Sequence, residues 1–168
     1  LPIEAVMTLF MLLASLHFGL LYSSVVTRSL KILKSPVIKF YLATLAIFSL
    51  AITVDLFFTG HADNIFTAFR HSIFQTLAMA STSGFATTDT TLWPNLSILM
   101  LIFLSIQCGC SGSTTGGIKS DRVLIFLKSF KAQLKKHVHP NAVVPIRIGN
   151  HVIEKEFAVS AAMFILIY

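Results

Sequence analysis

The chain has 168 residues, 55% hydrophobic and 12% charged, with a mean hydropathy of +0.80 and a formal net charge of +6. Soluble domains run near a quarter charged, so this composition excludes a soluble globular domain and points to a polytopic membrane protein. The positive charge looks like a nucleic-acid signal only until the basic residues are placed along the chain.

Ile3 to Val26 reads as a first apolar span, followed by a basic loop containing Pro36. Phe40 to Thr59 is a second span that closes near Gly60. Asp63 to Ala80 is different. Asp63 or Asn64 can cap a helix start, and Ile65, Phe66, Phe69, Ile73, Phe74 and Leu77 recur at helical spacing. Yet Arg70, His71 and Gln75 lie within it, which lipid does not accept cheaply. The polar stretch "STSGFATTD", Ser81 to Asp89, comes next, and Trp93-Pro94 then makes an interfacial anchor and a helix start. The apolar run after Asn95 is about 13 residues, too short to cross alone. It is broken by "CGCSGSTTGGIKSD", after which Arg122 to His137 reads as a basic amphipathic helix, and Ile153 onward begins another span. Cys108 and Cys110 are expected as free thiols, since the C-x-C spacing is poor for a mutual bridge. Leu1 is not a start residue and the last apolar stretch is short for a span, so an internal piece of a longer chain is expected.

Of the 13 lysines and arginines, all but Arg70 fall in two stretches. Arg28, Lys31, Lys34 and Lys39 form the first; Lys119, Arg122, Lys128, Lys131, Lys135, Lys136, Arg147 and Lys155 form the second. Cytoplasmic loops collect such residues, so both stretches are expected on the cytoplasmic side, and the charge encodes topology, with no nucleic-acid partner. An even number of crossings must then separate them. The second span goes out and the broken helix comes back, which leaves 61–93 beginning and ending outside. A re-entrant segment satisfies that count; so does a segment lying wholly outside.

Non-helical backbone at membrane depth survives only where protein buries it or water fills the space it lines. In the re-entrant reading, Gly84 adopts backbone angles that other residues avoid, and carbonyls around it replace a cation's hydration shell. The plainer alternative is a surface loop, since Ser, Thr and Gly are what loops use. For 108–119 one reading is an irregular loop that blocks or opens a path. A second is a helix crossing of the small-x-x-x-small type, Gly112 with Gly116 or Ser113 with Gly117. A phosphate loop fails, because Ile118 stands where the motif needs Lys.

Single residues add less. Asp55 is expected to be interfacial or paired, and Arg70 and His71 to position the re-entrant segment by hydrogen bonds. His137-x-His139 offers too few ligands for a structural metal and reads as solvated linker. Lys119 is either a barrier to cations beside a path or an ordinary snorkelling lysine. No nucleophile–base pair or metal cluster stands out, so no enzyme is expected.

Two motifs carry a family resemblance. "FRHSIFQTLAMASTSGFATTDTTLWP" resembles the third pore segment of the TrkH/KtrB superfamily of bacterial potassium-uptake proteins, whose plant relatives are the HKT transporters, and it is most similar to the TrkH branch. A Thr-Thr-Thr-Gly-Phe core is typical there; this chain has Ser81-Thr82-Ser83-Gly84-Phe85, which keeps a hydroxyl at each position. "CGCSGSTTGGIKSDR" resembles the broken inner helix of the same repeat. Cys110, Gly112, Ser113, Thr114, Gly116, Gly117, Lys119 and Arg122 match its usual pattern, while Cys108, Ser111 and Thr115 replace glycine, alanine and glycine. "HPNAVVPIRIGN" is similar to the family's linker before the fourth repeat.

The resemblance implies an all-α polytopic membrane protein of four helix–pore-helix–helix repeats around one pore, each with a re-entrant filter loop. Residues 1–39 would end repeat two and carry the basic cytoplasmic loop. Residues 40–136 would be all of repeat three, with outer helix 40–60, pore helix 63–80, filter 81–88 and broken inner helix 94–130. Residues 137–168 would be linker and the start of repeat four. It implies K+ uptake across the bacterial inner membrane, with Rb+ and Na+ as further candidate ions and no covalent cofactor. Filter residues would be Ser81, Thr82, Ser83, Gly84 and Phe85, with K+ at Thr82, Ser83 and Gly84. The gate would comprise Gly109, Cys110, Ser111, Gly112, Ser113, Thr114, Thr115, Gly116, Gly117, Lys119 and Arg122. Implied partners are the lipid bilayer, a second copy in a homodimer, and a cytoplasmic nucleotide-binding regulatory subunit of the TrkA type. The alternative from another class is a non-conducting membrane scaffold or assembly subunit with 81–89 as an external loop.

Overall fold

The computed structural model of the chain describes residues 2–28, 35–138, 145–149 and 151–168. Helix α1 (Pro2–Ser15) and helix α2 (Phe18–Val26) replace the single span expected over Ile3 to Val26, and they are bent by 102° at the break between them. The break has a local cause. His17 is extended, with φ −69° and ψ 109°, and its Nδ1 accepts from the backbone N of Leu20 at 3.3 Å, so it is the N-cap of α2. A Cβ on Gly19 would meet the same imidazole at 3.0 Å.

Helix α3 (Pro36–Phe58) begins with Pro36 in its first turn, where a missing N–H costs nothing. It ends short of Gly60, whose φ of +74° stops the helix as expected. Among the described residues, α3 is the one helix long and apolar enough to cross a bilayer by itself; α1 and α2 meet that requirement only as a bent pair. Helix α4 (Ile65–Ala80) packs along α3, where the Ser72 hydroxyl donates to the Ser49 carbonyl at 2.5 Å. Asn64, one of the two candidates, is its N-cap residue but makes no side-chain cap bond.

After a 3-10 turn (Thr90–Leu92) comes helix α5 (Asn95–Ile106). Its first turn is closed from another helix. Asp55 Oδ2 on α3 accepts from Ser97 N at 3.1 Å and from Ser97 Oγ at 2.6 Å. A carboxylate there satisfies a free N–H and meets the positive end of the helix dipole, so Asp55 is paired. Asp55→Ala is expected to cost the intact protein about 1–2 kcal/mol. A clearly lowered melting temperature in detergent is the expected reading, and an unchanged one would show the cap to be dispensable.

Two apolar cores hold these helices. Met11, Leu16, Tyr41, Leu45, Phe74, Leu77 and Leu104 bring α1, α3, α4 and α5 together. Ile52, Leu56, Ala68, Trp93 and Leu101 form the second, at the other end of α3.

Strand β1 (Gln107–Cys108) pairs in parallel with β2 (Ile118–Lys119), a two-residue bridge that closes the segment 109–117 into a loop. Helix α6 (Ser120–Val138) follows, then an antiparallel hairpin of β3 (Ile146–Ile148) and β4 (His151–Ile153), then helix α7 (Lys155–Ile167). The hairpin corrects the all-α expectation, which holds for the main elements. Ile146, Ile148 and Ile153 pack on Ile125 of α6 and on Ala158 and Ala161 of α7. Lys128 Nζ donates to the Arg147 carbonyl at 2.6 Å. The alternating β-branched residues and the Gly149-Asn150 pair are a legible hairpin signal.

Candidate functional site

Helix α4 ends in a tight, hydrogen-bonded cap. Ser81 N donates to the Leu77 carbonyl at 2.8 Å, Thr82 N to Met79 at 3.0 Å and Ser83 N to Ala78 at 3.1 Å. The chain then turns through two left-handed residues, Thr82 at φ +55° and Gly84 at φ +71°. For a β-branched threonine this conformation costs about 1–2 kcal/mol; such outliers persist where neighbours over-determine them. Here the Thr82 hydroxyl accepts from Gly116 N at 3.0 Å. Around Gly84 no atom lies within 4 Å of a would-be Cβ, so glycine is needed for its backbone angle and not for space. The outgoing limb is tied back by the buried Gln75, whose Nε2 approaches the Thr88 carbonyl at 3.5 Å. The Thr87 and Thr88 hydroxyls are buried without a hydrogen-bond partner among the described residues. Residues 82–86 themselves are exposed. At the far end, the Thr91 hydroxyl and amide both donate to Asp89 Oδ1, at 2.6 and 3.0 Å, and hold that carboxyl below its usual pKa.

The second motif is not a helix crossing. Residues 109–117 are irregular, which removes the small-x-x-x-small reading. They dock instead on the break between α1 and α2. Cys110 N donates to the Ser15 carbonyl at 2.9 Å, Thr114 N and Oγ1 to Ala14 at 3.4 and 3.3 Å, and Phe18 N to the Gly112 carbonyl at 3.2 Å. A broken helix leaves carbonyls on one side and amides on the other without partners; each break here supplies what the other lacks. The fit is close. A Cβ on Gly109 would collide with the Ser15 carbonyl, and Gly112, at φ +74°, lies against the His17 imidazole. On its other flank the loop is anchored by Ser111 N to Asp121 Oδ1 at 2.9 Å, Ser120 N to the Gly109 carbonyl at 3.1 Å and Ser120 Oγ to the Cys108 carbonyl at 2.6 Å.

The structure therefore brings the two motifs into contact, through Gly116 and Thr82. A cavity of about 480 Å³ opens between them and α1, lined by Ser81, Thr82, Ser83, Phe85, Thr114 and the face of α1 from Val6 to Ala14. Several expectations shift. Arg122 does not join the loop: its guanidinium stacks 3.9 Å from the centroid of the Phe164 ring. Arg70 does not touch the segment after α4; it makes an ion pair with Glu4 of α1 at 3.4 Å, and His71 Nδ1 has no partner among the described residues. The Lys119 ammonium does not snorkel outward but turns into the loop and donates to the Thr115 carbonyl. Cys108 and Cys110 are free and buried. Among the described residues no group of three metal-ligating side chains occurs, and His139 lies outside them.

Residues not anticipated are Ala14, Ser15 and His17 at the break, Asp121 under the loop, and Met11, whose Sδ accepts from Ser83 Oγ at 3.0 Å. Only His17 carried a signal, as a polar residue two before a glycine inside an apolar run.

A family model described as TrkH, cation transport protein, matches residues 1–168. The chain belongs to the TrkH family. Its relatives include the Trk system potassium uptake protein TrkH of Salmonella typhimurium, 33% identical over 149 residues, which cover 88% of this chain and 31% of the relative. The protein of the same name from Escherichia coli K12 is 32% identical over the same length, with the same coverage. The crystal structure of the potassium transporter TrkH from Vibrio parahaemolyticus matches with a TM-score of 0.89 at 26% identity, over 96% of this chain and 35% of that one. The chain thus spans 31% of the length of these curated TrkH relatives. The family is one of cation transport proteins and not of enzymes.

Proposed function

We propose that this chain supplies one quarter of a potassium-conducting pore, as the third of four helix–pore-helix–helix repeats, flanked by the end of repeat two (1–39) and the start of repeat four (137–168). Repeat three then occupies 40–136, with α3 as outer helix, α4 as pore helix and α5 to α6 as the broken inner helix. K+ passes dehydrated along the carbonyls of Thr82 to Phe85, with Ser81 at the base of the segment. Residues 109–117 and Lys119 form the gate beneath. Arg122, in the first turn of α6 and stacked on Phe164, flanks the gate.

The observation that supports this most is the hydrogen bond from Gly116 N to Thr82 Oγ1, which lays the loop directly on the strained residue of the polar segment. A scaffold needs no such contact. The basic end of α6 faces the cytoplasm in this reading, of the bacterial inner membrane, available to a TrkA-like nucleotide-binding subunit, and two copies of the full-length protein pair as a homodimer.

The test is Rb+ flux into liposomes carrying the full-length protein, beside labelling of single cysteines placed through 81–89. Flux above protein-free liposomes, with labelling restricted to the outer end of the segment, is expected. Absent flux with free labelling at every position would leave the scaffold reading in its place.

A further inference from the structure

We infer that the loop 109–117 contains a site for a monovalent cation, which this chain fills with its own Lys119 ammonium. The bridge between β1 and β2 sets Lys119 over the loop, and its side chain turns inward. Nζ donates to the Thr115 carbonyl and also lies 3.2 Å from Thr115 Oγ1, 3.4 Å from the Ser113 carbonyl and 3.5 Å from Ser113 Oγ. Two of those oxygens are also held from within the loop. Ser113 Oγ donates to the Cys110 carbonyl at 2.6 Å and lies 2.8 Å from Thr115 Oγ1, and Thr115 is buried.

Carbonyl and hydroxyl oxygens are the ligands of hard cations. None of the four belongs to a carboxylate. Divalent ions draw carboxylates into their shells, so a neutral set of this kind suits a single charge. An ammonium group and a dehydrated K+ carry the same charge and nearly the same radius. The loop is thus folded around a cation on a tether, which cannot diffuse away or be diluted out. Without the tether, the same oxygens are left to a free ion of the same class, K+ or Rb+.

This differs from a lysine acting as a bare electrostatic plug, because its charge is spent on the loop's own oxygens. The site stands on the geometry of the loop alone. Its consequence for flux rests on the gate reading proposed above.

The test uses the full-length protein as Lys119→Ala, with Lys119→Met as a second variant that keeps much of the side-chain stem. Crystals grown in Rb+ at the level of cellular K+ are examined by anomalous scattering, and Rb+ flux is measured in parallel. An Rb+ peak among the Ser113 and Thr115 oxygens is expected in the variants and not in the unmodified protein. Charge-assisted hydrogen bonds are lost, so basal flux is expected to rise roughly tenfold. A loop empty of Rb+ in both variants overturns the site, whatever the flux does. An occupied loop with unchanged flux keeps the site and removes the gate. If the variants fold only when K+ or Rb+ is supplied, the site is supported; failure to fold regardless of the cation overturns it.

Discussion

Gly84→Ser in the full-length protein is expected to abolish most of the preference for Rb+ over Na+ while leaving the protein folded. The reasoning starts from the backbone. Gly84 sits at φ +71° with open space around its α-carbon, so a serine side chain fits but its backbone is strained by about 1–2 kcal/mol. The chain relieves this by moving φ toward negative values, and that movement swings the neighbouring peptide planes. In the filter reading, selection between two ions of equal charge rests on those carbonyls, and a loss of about 1.4 kcal/mol in the difference is already tenfold. Gly60 is the matched control, since it has φ +74° and nothing within 4 Å. Gly60→Ser carries similar strain at the end of α3 and is expected to leave the flux ratio alone. Equal ratios in all three proteins would end the assignment of 81–88 as a filter.

Gly109→Ala is expected to raise basal flux roughly tenfold or more. A methyl group at this position collides with the Ser15 carbonyl and presses on Thr115, whose Oγ1 and Cγ2 would lie 2.9 and 3.0 Å away. The first obstacle is backbone, held by its hydrogen bond from Cys110 N, so it cannot step aside as a flexible side chain does. Overpacking of that kind costs about 1–3 kcal/mol, and the loop gives way because it has no regular structure to protect it. Gly116→Ala separates this effect from a general intolerance of the loop. The nearest atoms to a Cβ there, on Thr82, are 3.9 Å off, so flux close to that of the unmodified protein is expected. A silent Gly109→Ala in a correctly folded protein would argue that the docked loop does not limit conduction.

What could be read from the sequence divides along the range of the interactions involved. The helical elements around Phe40 to Ala80 followed from apolar periodicity and from Arg70, His71 and Gln75 being out of place in lipid. The need for a left-handed residue at Gly84 followed from glycine itself. The hairpin at 146–153 was equally legible from its alternating β-branched residues, but its likeness to a linker masked it. The break at Leu16 and His17 was only half legible, from a polar residue two before Gly19, because the other half of its cause lies in Gly112 and Cys110, on a different part of the chain. Lys119 was left between two roles by its position alone. Only the oxygens of Ser113 and Thr115 around its ammonium decide where the charge goes, and no periodicity encodes that. The same holds for Arg122, drawn away from the loop by a phenylalanine on α7.

The mutual docking of the two helix breaks has a bearing on how the protein is made. Thr114 and the carbonyl of Ala14 that it binds are 100 residues apart, and contacts of such separation close late. Synthesis delivers α1 and its loose carbonyls long before the loop exists. The earlier segment therefore waits as a mould, and the loop is cast against it once α5 has passed into place. Damage at Ala14 or Ser15 would leave their own helix forming normally and appear later, as a miscast loop at 109–117.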